Sequence, residues 1–251
     1  MQKDYSIRSI RRALDILGSF HENRKKMTLM EIATELELNK STTYRILTNL
    51  TDLGFLEINS DGQYTVGSEL ARLGNLCDNG KLLKQATRAA MQELEEITGE
   101  TVVLTRYQNG RMTCIDRIES EKVLRITSII GSNIPMMRGA TGKVVTSYLR
   151  ETELEFCLTR QRQLGCPIPE NLQLFRAQLK QVREQGYCVT DSELDEDVTA
   201  LAFPLLRDRQ DPLGSISVCG PSIRFTRKQI ESIVQEAMKI VRGVEEHIKY
   251  L

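Results

Sequence analysis

The chain has only two histidines, His21 and His247, and its six cysteines (Cys77, Cys114, Cys157, Cys166, Cys188 and Cys219) include no Cys-x-x-Cys pair. Zinc sites and disulfide frameworks need such clusters, so no metal, no disulfide scaffold and no cofactor are expected. No nucleophile stands at a useful spacing from a base either, which argues against an enzyme. The chain also lacks an N-terminal apolar run of signal-sequence length. No stretch approaches the about 20 apolar residues a membrane span requires, so a cytoplasmic protein with no membrane partner is expected. Net charge is absent too, with 34 Lys plus Arg balanced by 34 Asp plus Glu. That balance argues against coating nucleic acid non-specifically, but leaves room for local positive charge. Internal repeats and low-complexity segments are missing as well.

What is present begins with a length of 251 residues, enough for two domains. Near the N-terminus, Ile10, Ala13, Leu14, Ile16 and Leu17 oppose Arg11, Arg12 and Asp15, the pattern of an amphipathic helix ending near Gly18. Thr28 and Glu31 form a Thr-x-x-Glu capping box for a second helix with Leu29, Ile32, Ala33 and Leu36 on its buried stripe. A third helix follows, with Ser41 as its expected N-cap and Gly54 as its stop. Ile46, Leu47, Leu50 and Leu53 make its apolar stripe. The other face is expected to present Lys40, Ser41, Thr42, Thr43, Tyr44, Arg45 and Asn49, side chains that can reach phosphates and base edges. Tyr44 could instead pack on the second helix. Two short strands, Phe55 to Ile58 and Gln63 to Val66, flank an Asp61-Gly62 turn and read as a wing, with Gln63 as a further DNA contact. In the first 26 residues Lys3, Arg8, Arg11, Arg12, Arg24, Lys25 and Lys26 outnumber Asp4, Asp15 and Glu22. This basic end lies beside the proposed reader, and Arg8, Arg11 and Arg12 are assigned to DNA.

Residues 69–94 read as helical, with Gly74 and Gly80 as breaks. Beyond Thr101 the period changes to strands: Val102 to Gln108, an Asn109-Gly110 turn, Met112 to Ile118 and Val123 to Ile130. Helices are expected at Thr141 to Leu149, Glu151 to Gln161, Leu172 to Gln185 and Thr226 to Lys249. Strands are expected at Tyr187 to Asp191, Thr199 to Leu206 and Leu213 to Cys219. A mostly antiparallel sheet flanked by helices is the α+β class.

Several stretches carry a family resemblance. Ser9-Ile-Arg-Arg-Ala-Leu-Asp-Ile-Leu17, Thr28-Leu-Met-Glu-Ile-Ala33, Lys40-Ser-Thr-Thr-Tyr-Arg-Ile-Leu47 and Leu53-Gly-Phe55 closely resemble the start of the IclR family of bacterial transcription regulators. Gly131 to Met136 leading into Ala140-Thr-Gly-Lys143, Gly186-Tyr187 with Asp191 and Glu193, Ala202-Phe-Pro204 and Gly214 to Pro221 resemble its GAF-like effector-binding domain. The resemblance implies a winged helix-turn-helix domain over residues 1–68, a linker helix over 69–80 and a GAF-like domain over 81–251. It further implies operator DNA, a small-molecule effector and a homodimer or tetramer as partners. The expected function is repression of a catabolic operon.

Small residues in Gly139-Ala-Thr-Gly-Lys143 enter a helix, where backbone N–H groups and the helix dipole favour an anion. Family position then implies that Ala140, Thr141 and Gly142 receive the carboxylate of an acidic metabolite or sugar acid. Ser217 and Cys219 lie two apart on a strand and share a face, which in the family floors the pocket. Thr190, Asp191 and Ala200 join the site by carry-over, Val123, Ile126 and Ile134 are candidates for its apolar wall, and Arg138 for a cation facing the acid. Thr190 departs from an acidic residue found there in some relatives. The alternative reading is a thiol-responsive regulator or a Cys-dependent enzyme on a GAF fold.

Overall fold

A computed structural model describes residues 7–21, 24–76 and 80–248. The chain divides into two compact units, Met1–Asn79 and Gly80–Leu251.

The first unit runs α1 (Arg8–Gly18), β1 (Met27–Thr28), α2 (Leu29–Glu35), α3 (Lys40–Asp52), β2 (Leu56–Ile58), β3 (Gln63–Val66) and α4 (Ser68–Leu76). Its core gathers Ile16, Met27, Ile32, Leu47, Leu50, Leu56 and Tyr64. On α1, Ala13, Ile16 and Leu17 face this core, joined by Phe20 just past the helix end, whereas Ile10 and Leu14 are exposed, contrary to expectation. At 100° per residue those two fall beyond the arc that α3 and the sheet can cover. The Thr28–Glu31 capping box forms in both directions, Glu31 N–H donating to Thr28 Oγ1 at 3.3 Å and Thr28 N–H to Glu31 Oε2 at 2.7 Å. The Thr28 N–H and, at 2.8 Å, the Thr28 hydroxyl both donate to Glu31 Oε2 and hold that carboxyl below its ordinary range.

The cap of α3 is Asn39, not Ser41. Asn39 Oδ1 accepts from Thr42 N–H at 2.8 Å, and Ser41 spends its hydroxyl on the same oxygen at 3.0 Å. The helix therefore starts earlier than expected, at Lys40. It stops at Gly54, which takes φ +74° while its N–H donates to Thr51 O and that of Phe55 to Leu50 O, a Schellman end. β3 sits centrally in an antiparallel sheet of order β1-β3-β2. Asn59 Oδ1 caps its turn by accepting from Asp61 N–H and Gln63 N–H, and Gly62 supplies φ +72°. α4 covers most of the stretch expected as linker helix; residues 77–79, with Cys77, lie outside the described residues.

The second unit continues with α5 (Lys81–Thr98), β4 (Thr101–Gln108), β5 (Arg111–Ile118), β6 (Asn133–Ile134), α6 (Gly139–Thr146), α7 (Glu151–Gln163), α8 (Leu172–Gln185), β7 (Cys188–Asp191), β8 (Val198–Arg207), β9 (Asp211–Pro221) and α9 (Arg227–Ile248). Its strands form one antiparallel sheet, β6-β5-β4-β9-β8-β7, so the fold is α+β. Alternation along the strands gives two cores. Val102, Leu104, Leu201, Phe203, Ile216 and Val218 pack under α5 and α9, while Met112 and Ala202 pack under α6, α7 and α8.

Residues 123–130 are not a strand. They form a loop tied down by Thr101 Oγ1 donating to Ile126 O at 2.7 Å and by Arg117 Nη1 donating to Ser128 O. Only Met112 and Thr113 of β5 find a further strand, the short β6. Without a ladder there is no buried face, and Val123 stands 99% exposed rather than in an apolar wall. Ile126 is half-buried, and Ile134 joins the core beside α6.

Candidate functional site

On α3, Lys40, Ser41, Tyr44, Arg45 and Asn49 are exposed, and Thr42 is half-buried. Thr48, absent from the expected set, is half-buried beside them and completes a helical stripe at 41, 44, 45, 48 and 49. Thr43 must be withdrawn from that face: it is fully buried, and its hydroxyl donates to Asn39 O at 3.1 Å. Leu53, expected in the core, is instead exposed. The buried stripe is Thr43, Leu47 and Leu50, one step round the helix from the one expected.

Two of the outward side chains fold back on their own helix. Thr48 Oγ1 donates to Tyr44 O at 2.9 Å and Asn49 Nδ2 to Arg45 O at 2.7 Å. Arg45 has no ion pair among the described residues and overlooks a groove of about 670 Å³ between α1 and α3. Arg8 and Arg12 line the same groove, with Thr42 and Asn49 between them. Arg11 is exposed on α1 but does not line it. Three guanidinium groups around one groove, with no carboxylate in its lining, favour a polyanion. Gln63 on β3 is half-buried, and its Oε1 accepts from Asn59 Nδ2 at 3.4 Å. Lys3, Asp4 and Glu22, counted in the basic arm, lie outside the described residues.

In the second unit, α6 lies over the sheet with Gly139, Ala140, Thr141 and Gly142 all buried. Ala140 N–H already donates to Thr190 Oγ1 at 3.0 Å, and Thr141 Oγ1 donates to Ser217 Oγ at 3.1 Å. Gly142 is required by space, because a Cβ there would come within 2.0 Å of Pro135 O. The register runs Thr190, Ala200, Cys219, Thr101 across β7, β8, β9 and β4, and these residues share the α6 face with Ser217. Thr105 and Ser215 extend the same floor, their hydroxyls 2.8 Å apart. The period-two run Ser215-x-Ser217-x-Cys219 opposite Thr101-x-Val103-x-Thr105 carried that signal in the sequence.

Asp191 is not part of this group. Adjacent strand residues point to opposite faces, so Asp191 leaves Thr190 on the α6 side and turns away. Its Oδ1 accepts from Thr199 Oγ1 at 2.8 Å and from Ser222 Oγ. Those two hydroxyls hold its carboxyl below the ordinary range, Ser222 most strongly. Arg138 is exposed, and its Nη2 donates to Glu193 O at 2.6 Å.

The thiols of Cys114, Cys188 and Cys219 point away from redox or nucleophilic chemistry, whereas Cys166 is exposed. Burial pushes the Cys219 thiol up to about 12, and Cys114 and Cys188 up to about 11. Such thiols stay protonated at neutral pH. Among the described residues no group of His, Cys, Asp and Glu could hold a metal ion, and no helix is long and apolar enough to cross a membrane.

Residues 9–60 match the IclR helix-turn-helix domain, and residues 79–246 match the bacterial transcriptional regulator IclR C-terminal domain. The chain is 28% identical over 216 residues to the HTH-type transcriptional regulator XynR of Escherichia coli, covering 84% of this chain and 85% of that protein. It is 25% identical over 244 residues to the acetate operon repressor of Salmonella typhimurium, covering 95% and 89%. Among solved structures, an IclR homologue from Microbacterium hydrocarbonoxydans, crystallised with 4-hydroxybenzoate, shares the fold at a TM-score of 0.75 and 18% identity, covering 97% of this chain and 100% of that one.

Proposed function

Since the chain belongs to the IclR family of bacterial transcriptional regulators, we propose that it is a homodimeric repressor of a catabolic operon whose hold on its operator is set by a small acidic metabolite. The observation carrying the DNA side is the outward stripe of α3, with Ser41, Tyr44, Arg45, Thr48 and Asn49 flanked by Arg8 and Arg12 across one groove. Short hydroxyl and amide side chains suit base edges, and the arginines suit phosphates or guanine. Lys40, Thr42 and the wing residue Gln63 extend the same interface. One such module covers too few base pairs for a regulator, which is the argument for paired half-sites and two subunits.

For the effector, the reading rests on the polar floor of Thr190, Ser217 and Cys219 beneath the N-terminus of α6. An acid could exchange with the Thr190 hydroxyl at the Ala140 N–H and meet Thr141 and Ser217 beyond it. An aromatic carboxylate in a neighbour of the same fold supports that ligand class. The thiol-responsive alternative has less behind it, because the thiols of Cys114, Cys188 and Cys219 are held protonated.

Duplexes selected from a random pool by the parent protein provide the test. Arg45→Ala should bind the selected duplex at least about fivefold more weakly, the loss of one base or phosphate contact of about 1–3 kcal/mol, with an unchanged melting temperature. Equal binding by parent and variant would remove α3 as the reader.

A further inference from the structure

The loop from Ser192 to Asp197, between β7 and β8, is strapped across the N-terminus of α6 at two points. Glu193 grips Lys143 Nζ with both carboxylate oxygens, at 2.6 and 2.8 Å, and its backbone oxygen accepts from Arg138 Nη2 at 2.6 Å. Next in the chain, Leu194 presses on Gly139, where a Cβ would come 2.5 Å from Leu194 Cδ1. Both ends of the loop are held in the left-handed region by non-glycine residues, Ser192 at φ 53° and Asp197 at φ 58°. Such conformations cost free energy and persist where surrounding contacts enforce them. Ser192 N–H donating to Val198 O at 2.9 Å and Asp197 N–H to Ser192 Oγ at 3.1 Å close the loop on itself.

Beside the strap runs a groove of about 450 Å³ lined by Arg138, Lys143 and Glu193 and walled by Pro167, Leu174 and Phe175. The Lys143 side chain is 14% exposed, so leaving its ammonium without an anion is costly. In the structure that anion belongs to the chain itself.

We propose that Glu193 is a tethered stand-in for a small acid: a carboxylate entering this groove takes over Lys143 and Arg138 and so frees Leu194 from Gly139 at the N-terminus of α6, opening the way to the Ala140 N–H where the effector's acid is read above. This rests on the acidic-effector reading above and adds its selection rule. An incoming carboxylate leaves the ammonium paired and returns Glu193 to water, so the exchange conserves ion pairs. A neutral ligand would strand the ammonium, and a cation would meet two more positive charges. The groove therefore admits acids with a small apolar body and rejects their amides.

Two measurements on the full-length protein test this. Without ligand, amide hydrogen exchange across residues 193–196 should speed up at least tenfold in Glu193→Gln, and also in Arg138→Ala, which leaves the Lys143 pair intact. Acetate, pyruvate and benzoate, each beside its amide, are then titrated into parent, Glu193→Gln and Lys143→Gln by calorimetry. At least one acid should bind Glu193→Gln at least tenfold more tightly than the parent and lose that binding in Lys143→Gln, while no amide gains. Unchanged loop exchange in both variants would overturn the strap alone, leaving the acidic-effector reading in place. Acid binding that is equal or weaker in Glu193→Gln, or a gain shared by the amides, would overturn the stand-in. Binding of no acid by any of the three proteins would overturn the stand-in and the acidic-effector reading together.

Discussion

Gly67 ties β3 to the end of α3, and replacing it tests that junction. It follows β3 directly, and its N–H donates to Phe55 O at 2.8 Å just past the Gly54 stop of α3. Its φ is not left-handed, so an alanine would meet no conformational penalty. The obstacle is contact: a Cβ would lie 2.3 Å from Gly54 O and 2.9 Å from Phe55 C. Both are backbone atoms held by the helix end, so the chain must part by roughly 1 Å, an overpacking cost of about 1–3 kcal/mol. Losing the Gly67–Phe55 hydrogen bond adds about 1 kcal/mol. The total of about 2–4 kcal/mol in a domain of this size lowers the melting temperature by on the order of 10–20 °C. Calorimetry should show the drop in the transition of the N-terminal unit, with operator binding falling alongside as the wing shifts. Gly18→Ala is the matched control, because nothing lies within 4 Å of its added Cβ and it should be neutral or slightly stabilising. A Gly67→Ala protein melting within about 2 °C of the parent would refute the packing argument.

The other expectations concern titration and thiol reactivity. Asp191 is held below its ordinary value of 3.8 by the Ser222 and Thr199 hydroxyls, so its contribution to stability is present above the unfolded carboxyl's pKa and is lost as pH falls through the folded one. Acid titration should therefore erode the parent more steeply below about pH 4 than Asp191→Asn, and parallel curves would show that the two hydroxyls contribute nothing. With Cys114 and Cys188 pushed up to about 11 and Cys219 up to about 12, none of the three should react with a disulfide reagent at neutral pH before the fold opens. Mass mapping that finds Cys219 modified faster than global unfolding would revive the thiol-sensing alternative.

Local signals in the sequence located the elements; tertiary neighbours decided their faces. The Thr28–Glu31 capping box, the Gly54 stop and the turn before Gln63 each depend on residues within a few positions, and each is visible in the chain alone. The face of α3 is ambiguous in sequence because two neighbouring stripes share Leu47 and Leu50, and only the packing of α1 and α2 selects Thr43 over Leu53. Residues 123–130 carry apolar residues at strand-like spacing, yet β5 offers its ladder to Asn133 and Ile134 instead. Thr190 and Asp191 could not both face one pocket, since neighbours on a strand diverge; the register with Ala200 and Thr199 shows which one does. The Glu193 strap was illegible because Lys143 lies 50 residues away in sequence.

The most direct test of effector-controlled DNA binding is a single pair of titrations. The parent and Thr141→Val are bound to the selected duplex and followed by fluorescence anisotropy as the tightest acid from the calorimetric panel is added. Thr141→Val keeps the shape of a buried side chain but removes the hydroxyl that donates to Ser217 at 3.1 Å. Coupling between the two sites predicts that saturating acid changes the parent's DNA affinity by at least about tenfold, within the range typical of allosteric coupling, and that Thr141→Val binds DNA as tightly as the parent but needs about tenfold more acid. A parent whose DNA affinity is the same with and without bound acid would contradict the account.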